Sequence, residues 1–276
     1  MASDPIRWLH VSDFHVGTDD YAQARRFRQI VEFIRERRDR DDWRPDLVFI
    51  TGDVANAGKV DQYGIFERKF LRKLRVELPS ECAKRIFAVP GNHDVDQRAA
   101  QAAQTHGALD NVPHLLDPTT EGRGLRQTVF PRFEAFVNSG PSSGGDRWLL
   151  SDTGADVKTI DVRGHKVSIV RINTAWLSNA DDDRDQLTPG AEMLDGCLQQ
   201  TGDCDALIVV GHHPLSWMLR HEREKIASRL GRRHAVYLHG HLHESDARYE
   251  AGNANLALPP KASPGSVLVS GCTWAN

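Results

Sequence analysis

Five short apolar runs in this chain each stop at a cluster of nitrogen and oxygen donors. Ile6 to Val11 ends in Ser12-Asp13-Phe14-His15, Leu47 to Ile50 in Thr51-Gly52-Asp53, and Ile86 to Val89 in Pro90-Gly91-Asn92-His93-Asp94. Leu207 to Val210 ends in Gly211-His212-His213-Pro214, and Ala235 to Leu238 in His239-Gly240-His241-Leu242-His243. Runs this short and this continuously apolar read as strands buried on both faces of a sheet. Between the first three, Phe27, Ile30, Val31 and Ile34, then Tyr63, Phe66, Phe70 and Leu74, recur at helical spacing. Strand, helix, strand, helix, strand implies parallel pairing through right-handed crossovers. In open sheets of that kind ligands gather outside the carboxyl ends of the strands, which is where these donors lie.

Asp13 and His15, two apart in extended backbone, project to one side, and an Asp oxygen beside a His nitrogen suits a borderline divalent cation. Asp53, Asn92, His212, His241 and His243 repeat that chemistry at the other strand ends. Any one of them has an ordinary structural use, such as a capping aspartate or a polar turn. Their recurrence at every strand end makes metal binding the better explanation. Mixed oxygen and nitrogen groups in this number exceed a tetrahedral zinc site and suit two divalent ions, roughly 3.5–4 Å apart. Asp53 is the natural bridge, because a carboxylate has two oxygens to share. With Asp13 and Asp53 as the anionic ligands, two dications leave a positive centre that attracts a phosphate oxyanion and acidifies bound water. Two ions so held would supply a hydroxide able to attack phosphorus in line, with an imidazole on the other side to protonate the departing oxygen. His93 fits the proton-donor task, with Asp94 expected to orient its ring and raise its basicity.

The rest of the chain is plainer. Arginines between residues 25 and 38 alternate with Glu32, Glu36 and Asp39, which predicts a solvated, salt-bridged helix face. An insertion at about 95–147 follows the central turn, with a helix near 129–137 and a Gly/Ser loop after it; it reads as a lid, a substrate wall or a surface excursion. From Trp148 two β-rich runs separated by Arg163-Gly164 predict a hairpin and the start of a second sheet, and a helix should follow Pro214 as far as about Leu230. A chain of 276 residues, 39% apolar, suits a single domain over residues 1–276. A net charge of -3 gives no global pull toward nucleic acid. Cys82, Cys197, Cys204 and Cys272 lack paired spacing and read as reduced structural thiols. No run approaches the ~20 apolar residues of a membrane span, and Met1 to Pro5 leads into a strand without a signal-peptide layout, so the expectation is a cytoplasmic protein with no membrane partner.

Asp13-Phe14-His15, Gly52-Asp53, Gly91-Asn92-His93-Asp94, Gly211-His212-His213-Pro214 and Gly240-His241-Leu242-His243, in this order, resemble the full signature of the calcineurin-like metallophosphoesterase superfamily. The resemblance implies an α/β fold, a four-layer α/β/β/α sandwich of two mixed sheets flanked by helices. It implies Asp13, His15, Asp53 and His243 on one metal ion and Asp53, Asn92, His212 and His241 on the other, with His212 rather than His213 as the ligand. Val54-Ala55-Asn56 lacks the tyrosine that purple acid phosphatases carry three residues after the bridging Asp, and the glycine- and arginine-rich signatures of Ser/Thr protein phosphatases are absent. The His-His-Pro form is similar to bacterial cyclic-nucleotide phosphodiesterases, and Leu9 to His15 also looks like the opening of double-strand-break-repair nucleases. Arg171 to Leu177 resembles bacterial members that form the first domain of larger proteins, so fused downstream domains are expected. The donor set admits manganese, iron, zinc or nickel, with manganese placed first.

The expected activity is therefore a dinuclear-metal-dependent phosphodiesterase acting on a nucleotide or nucleic-acid phosphodiester. A phosphomonoesterase or pyrophosphate hydrolase acting on a small metabolite is the alternative, followed by a non-catalytic metal-binding interaction module. A nucleic-acid substrate needs a basic track; Arg220, Arg223, Lys225, Arg229, Arg232 and Arg233 are the candidates, with Arg98, Arg123 and Arg126 as further phosphate-binding groups.

Overall fold

Alternate residues of each apolar run find different apolar layers, and this sets the architecture. The computed structural model describes residues 5–17, 20–96, 112–139, 154–178, 183–243, 246–251 and 265–270. In its first half, β1 (Trp8–Val11), α1 (Asp20–Asp41) and β2 (Leu47–Thr51) lead into α2 (Val60–Phe66), a π-helical turn (Glu67–Leu71) and α3 (Arg72–Glu77). Then come α4 (Ser80–Ala83), β3 (Ile86–Val89), α5 (Val112–Leu115), α6 (Thr120–Val129) and α7 (Glu134–Asn138). β1, β2 and β3 pair in parallel in that order, as the crossover argument requires.

The second half opens with the hairpin of β4 (Ala155–Val162) and β5 (His165–Ile172). Its turn residues Arg163 (φ 54°) and Gly164 (φ 80°) are both left-handed, as a two-residue hairpin turn of this type requires. α8 (Ala191–Gln200), β6 (Ala206–Val210), α9 (Arg220–Arg232), β7 (Val236–His239), β8 (Asp246–Ala251) and β9 (Gly265–Ser270) follow. The sheet order is β4-β5-β6-β7-β9-β8, parallel in the centre and antiparallel at both margins.

Leu47, Phe49, Phe87 and Val89 of the small sheet share a core with Val167, Ile169, Ile208, Val210 and Leu238 of the large one. Val48, Ile50 and Ile86 point the other way, toward Phe27, Ile34, Phe66, Phe70 and Leu74 of the helices. Val170, Leu207, Val209 and Tyr237 face Leu194, Leu198, Ile226 and Leu230 of α8 and α9. The result is the expected α/β/β/α sandwich, except that the mixed character belongs to the large sheet; the small one is parallel throughout its described strands.

The described part of the insertion is anchored. Arg132, buried, donates to the Trp176 and Ser178 carbonyls, and its own carbonyl accepts from Asp96 N at 2.9 Å. Where a single helix was expected near 129–137, a 3-10 turn (Phe130–Phe133) with Pro131 in its first turn separates α6 from α7. The stretch 98–104 and the loop from 140 lie outside the described residues. The α1 face is salt-bridged as predicted: Arg35 and Arg38 meet Glu77, and Arg37 and Arg40 meet Asp41. Cys82, Cys197 and Cys204 are free thiols, and Cys272 lies outside the described residues. Among the described residues no helix is long and apolar enough to cross a membrane.

Candidate metal centre

The strand exits converge at one edge, and they do so through unusual backbone. Asp13 (φ 59°), His15 (φ 46°), Asp53 (φ 51°), His241 (φ 72°) and His243 (φ 55°) all occupy the left-handed region that residues with a Cβ seldom adopt. Such strain persists where surrounding bonds over-determine it. Here Asp13 N donates to Gly52 O (3.1 Å), His15 N to Asp53 O (2.9 Å) and His241 N to Asp13 Oδ1 (3.1 Å). Gly52 is itself left-handed (φ 90°), and a Cβ there would stand 2.6 Å from His212 Nδ1. Only a glycine lets the two loops approach this closely.

All seven sequence-predicted donors come together. His15 Nε2 and His243 Nε2 are 3.2 Å apart, and His243 Nε2 lies 3.6 Å from Asp13 Oδ1. On the other side, Asn92 Oδ1 is 3.1 Å from both His212 Nε2 and His241 Nδ1. Asp53 stands between, its Oδ2 3.4 Å from His212 Nε2 and 3.9 Å from His15 Nε2. His212 Nδ1 faces the Thr51 carbonyl at 2.6 Å, so the neutral ring carries its proton there and turns the Nε2 lone pair into the cluster. His213 instead directs Nδ1 to Thr174 Oγ1 (2.9 Å), though it remains close enough to His212 and His241 to share a potential metal group with them.

Burial and charge act against each other in this space. Burial holds the His15 imidazole down to about 4 and that of His241 to about 3, so both are neutral at neutral pH. Burial, with the adjacent Asp53 charge adding to it, pushes Asp13 up to about 7. Burial would also raise Asp53, but the His212 charge outweighs it and holds that carboxyl well below the usual range. Burial would lower His212; Asp53 more than reverses this and pushes it up to about 9. Carboxylate oxygens and imidazole nitrogens at 3.4–3.9 Å are too far apart to hydrogen-bond well, yet aim at common space. That spacing, the neutral His15 and His241 imidazoles and the mixed donor set fit divalent metal ions. Asp13-His15-His243 and Asp13-Asp53-His212 are each close enough to hold one.

The expected partnership of His93 with Asp94 needs correction. His93 Nδ1 lies 3.1 Å from the Asn56 carbonyl, so the ring is oriented by backbone. The Asp94 carboxylate accepts from Gly91 N (3.0 Å), Ala55 N (2.9 Å), Val54 N (3.3 Å) and Tyr63 Oη (2.9 Å). Asp94 therefore ties two strand exits to α2. The 3-10 turn Asn92–Asp94 sends these adjacent side chains different ways, and the nearer backbone donors claim the carboxylate. Burial pushes Asp94 up to about 6, against four donors that favour its ionised form. His93 stays at the centre: its N donates to Asp53 Oδ1 (2.9 Å) and its ring meets that of His15 edge-on at 4.6 Å.

Most of the expected basic track on α9 is ion-paired, while Arg232 shows no ion pair among the described residues. Arg220 pairs with Glu224, Arg223 with Asp185, Lys225 with Glu222, and Arg229 with Glu192 and Asp195. Arg233 caps the Leu198 and Gly202 carbonyls, and buried Arg126 donates to the Leu115 and Asp117 carbonyls. Arg98 lies outside the described residues. Several supporting groups escape a search for donors. Thr174 Oγ1 accepts from His212 N and His213 N, Tyr237 Oη donates to His213 O, and Trp217 packs 4.0 Å from His241. Thr174 alone had a signal, since Asn173-Thr174 closes β5 as donors close the other strands.

A four-layer sandwich with His, Asp and Asn gathered at the carboxyl ends of its strands defines a metallohydrolase centre. Residues 6–245 match the calcineurin-like phosphoesterases, and the chain belongs to that family of metal-dependent phosphoester hydrolases. Among solved structures, PhoD aligns with a TM-score of 0.50 at 12% identity, covering 98% of this chain and 57% of that one. GAP50, the anchor in the inner membrane complex of Plasmodium, aligns at 0.49 and 11%, covering 97% and 71%. A putative 5′-nucleotidase from Staphylococcus aureus aligns at 0.47 and 14%, covering 97% and 49%. At 12% identity the likeness to PhoD is one of fold. The chain spans about half the length of the PhoD and nucleotidase chains. No curated protein sequence matches it at a significant level.

Proposed function

We propose that this chain is a phosphodiesterase working with two divalent metal ions, manganese foremost, on a nucleotide-class phosphodiester. The observation that carries the proposal is the place of Asp53 Oδ2, 3.9 Å from His15 Nε2 of the Asp13-His15-His243 group and 3.4 Å from His212 Nε2, which with His241 Nδ1 flanks Asn92 Oδ1. Asp13, His15, Asp53 and His243 would hold one ion, and Asp53, Asn92, His212 and His241 the other. Bound there, such ions supply charge neutralisation for a phosphate and an acidic water near neutral pH.

The chain's own residues supply the rest. Hydrogen-bonded through Nδ1 to the Asn56 carbonyl, His93 is oriented by backbone at the edge of the cluster, and it would deliver a proton to the departing oxygen. Asp94 holds the turn that carries Asn92 and His93. The pairing of Arg220, Arg223, Lys225 and Arg229 with carboxylates favours a nucleotide-sized substrate over a duplex, since each of these charges is already partly neutralised.

The test compares hydrolysis of a bis-aryl phosphodiester with that of the aryl monoester by manganese-loaded protein, followed by cyclic nucleotides, single-stranded DNA, duplex DNA and RNA. Faster turnover of the diester supports the proposal. Turnover confined to the monoester replaces it with a phosphomonoesterase, and bound metal with no turnover of either points to a binding module.

A further inference from the structure

Arg184 stands apart from the cations of α9. Its Cζ lies 5.1 Å from the Trp217 ring centroid, and that ring meets His241 at 4.0 Å and 78°. Trp217 is buried and also lies against His213, at 6.3 Å and 25°, so it is a fixed platform in contact with the metal centre. The 3-10 turn Leu215–Trp217 carries it directly after Pro214, and a β-bridge between Leu187 and Met218 ties that turn to the Arg184 loop. Arg184 itself is exposed. Its described acidic neighbours are directed elsewhere: Asp183 is buried and acts on Arg132, and Asp185 lies 4.0 Å from Arg223. Among the described residues the Arg184 guanidinium has the Trp217 face and no ion pair.

A guanidinium held over an aromatic face by a cation–π contact keeps N–H donors for a further partner, since the ring does not accept a conventional hydrogen bond from them all. An oxyanion can then take two of them at once. Exposed, and with no carboxylate partner among the described residues, the same group would otherwise be an ordinary surface arginine. Two ring contacts from a cluster built for phosphate, it can take a second anion on the same molecule.

We propose that Arg184, seated on Trp217, forms an anion subsite beside the metal centre that binds a second, non-reacting phosphate of a small nucleotide substrate. The inference rests on the phosphoester reading above, because the reacting phosphate is taken to sit at the cluster. The subsite makes the enzyme prefer ligands that carry two phosphates over ligands that carry one.

Two non-hydrolysable probes test this by calorimetry on manganese-loaded protein: methylphosphonate and 1,3-propanediphosphonate. The native protein should bind the two-anion probe tighter by about tenfold or more, the scale of one charge-assisted bidentate contact. In Arg184→Ala that preference should collapse to about twofold, and Arg184→Lys, which keeps the charge and loses the plane, should fall between. A native protein without the preference, or an Arg184→Ala variant that retains it, overturns the subsite. Arg184→Gln repeats the measurement should the alanine variant misfold. Binding and turnover separate the two proposals: a protein that shows the preference yet hydrolyses no diester overturns the activity and leaves the subsite standing.

Discussion

His93 enters the centre with one ring nitrogen already committed to the Asn56 carbonyl, which fixes where its other nitrogen can act. A general acid matters in proportion to how badly the leaving group needs a proton. Replacing His93 with Ala should therefore slow a diester with an alkyl-like leaving group by about 10²–10⁴, and one with a nitrophenolate leaving group far less. Steady-state rates on the two substrates check this, and equal losses on both rule out the acid role. The donors themselves were legible because few uses explain Asp, Asn and His recurring just past apolar strands. Their supports were not. The Asn56 carbonyl, the Thr174 hydroxyl and the Tyr237 hydroxyl belong to residue types found everywhere, and only the folded chain brings them under the imidazoles.

Elements meet at this site through glycines and one carboxylate. Gly91 lies so close to the β2 exit that a methyl group there would overlap Asp53 Oδ1. Gly91→Ala should displace that carboxylate and weaken metal binding by about 10–100-fold, with the fold retained; metal content after desalting, alongside circular dichroism, measures both. Asp94 joins Gly91, Val54, Ala55 and Tyr63, so it couples two strand exits to α2. Tyr63→Phe removes one buried bond to a carboxylate and should cost about 1–2 kcal/mol, read from urea unfolding of the metal-free protein. Strands that end in donors, and helices with a clear apolar stripe, were readable in advance. The π-helical turn Glu67–Leu71 was not, because Phe66, Phe70 and Leu74 keep an i, i+4 spacing that an α-helix satisfies equally well. α6 hid behind Gly122 and Gly124, which lower helix propensity and are tolerated because Leu115, Val129 and Phe136 supply the packing.

At the scale of the whole molecule, the small sheet brings Asp13, His15, Asp53 and Asn92, the large one brings His212, His241 and His243, and metal ions held by both sets would join the two. Binding it must also displace protons, since an imidazole or carboxylate ligates only when unprotonated. In the metal-free protein burial pushes Asp13 up to about 7, and the Asp53 charge, acting against burial, pushes His212 up to about 9, so Asp13 keeps its proton below about 7 and His212 below about 9. A group with a raised pKa competes with metal below that pKa and ceases to compete above it. Below about pH 7 both protons must leave, and the logarithm of the affinity should rise by roughly two per pH unit. Between about 7 and about 9 His212 alone still competes, and the slope should fall to roughly one before flattening. His15 and His241, already neutral at about 4 and about 3, add nothing in this window. Calorimetric titration with manganese in buffers of different ionisation enthalpy counts the released protons directly. A proton count near zero at pH 6 would mean that metal does not enter between Asp13 and His212, and that the two sheets are held at this edge by the Asp53–His212 ion pair instead.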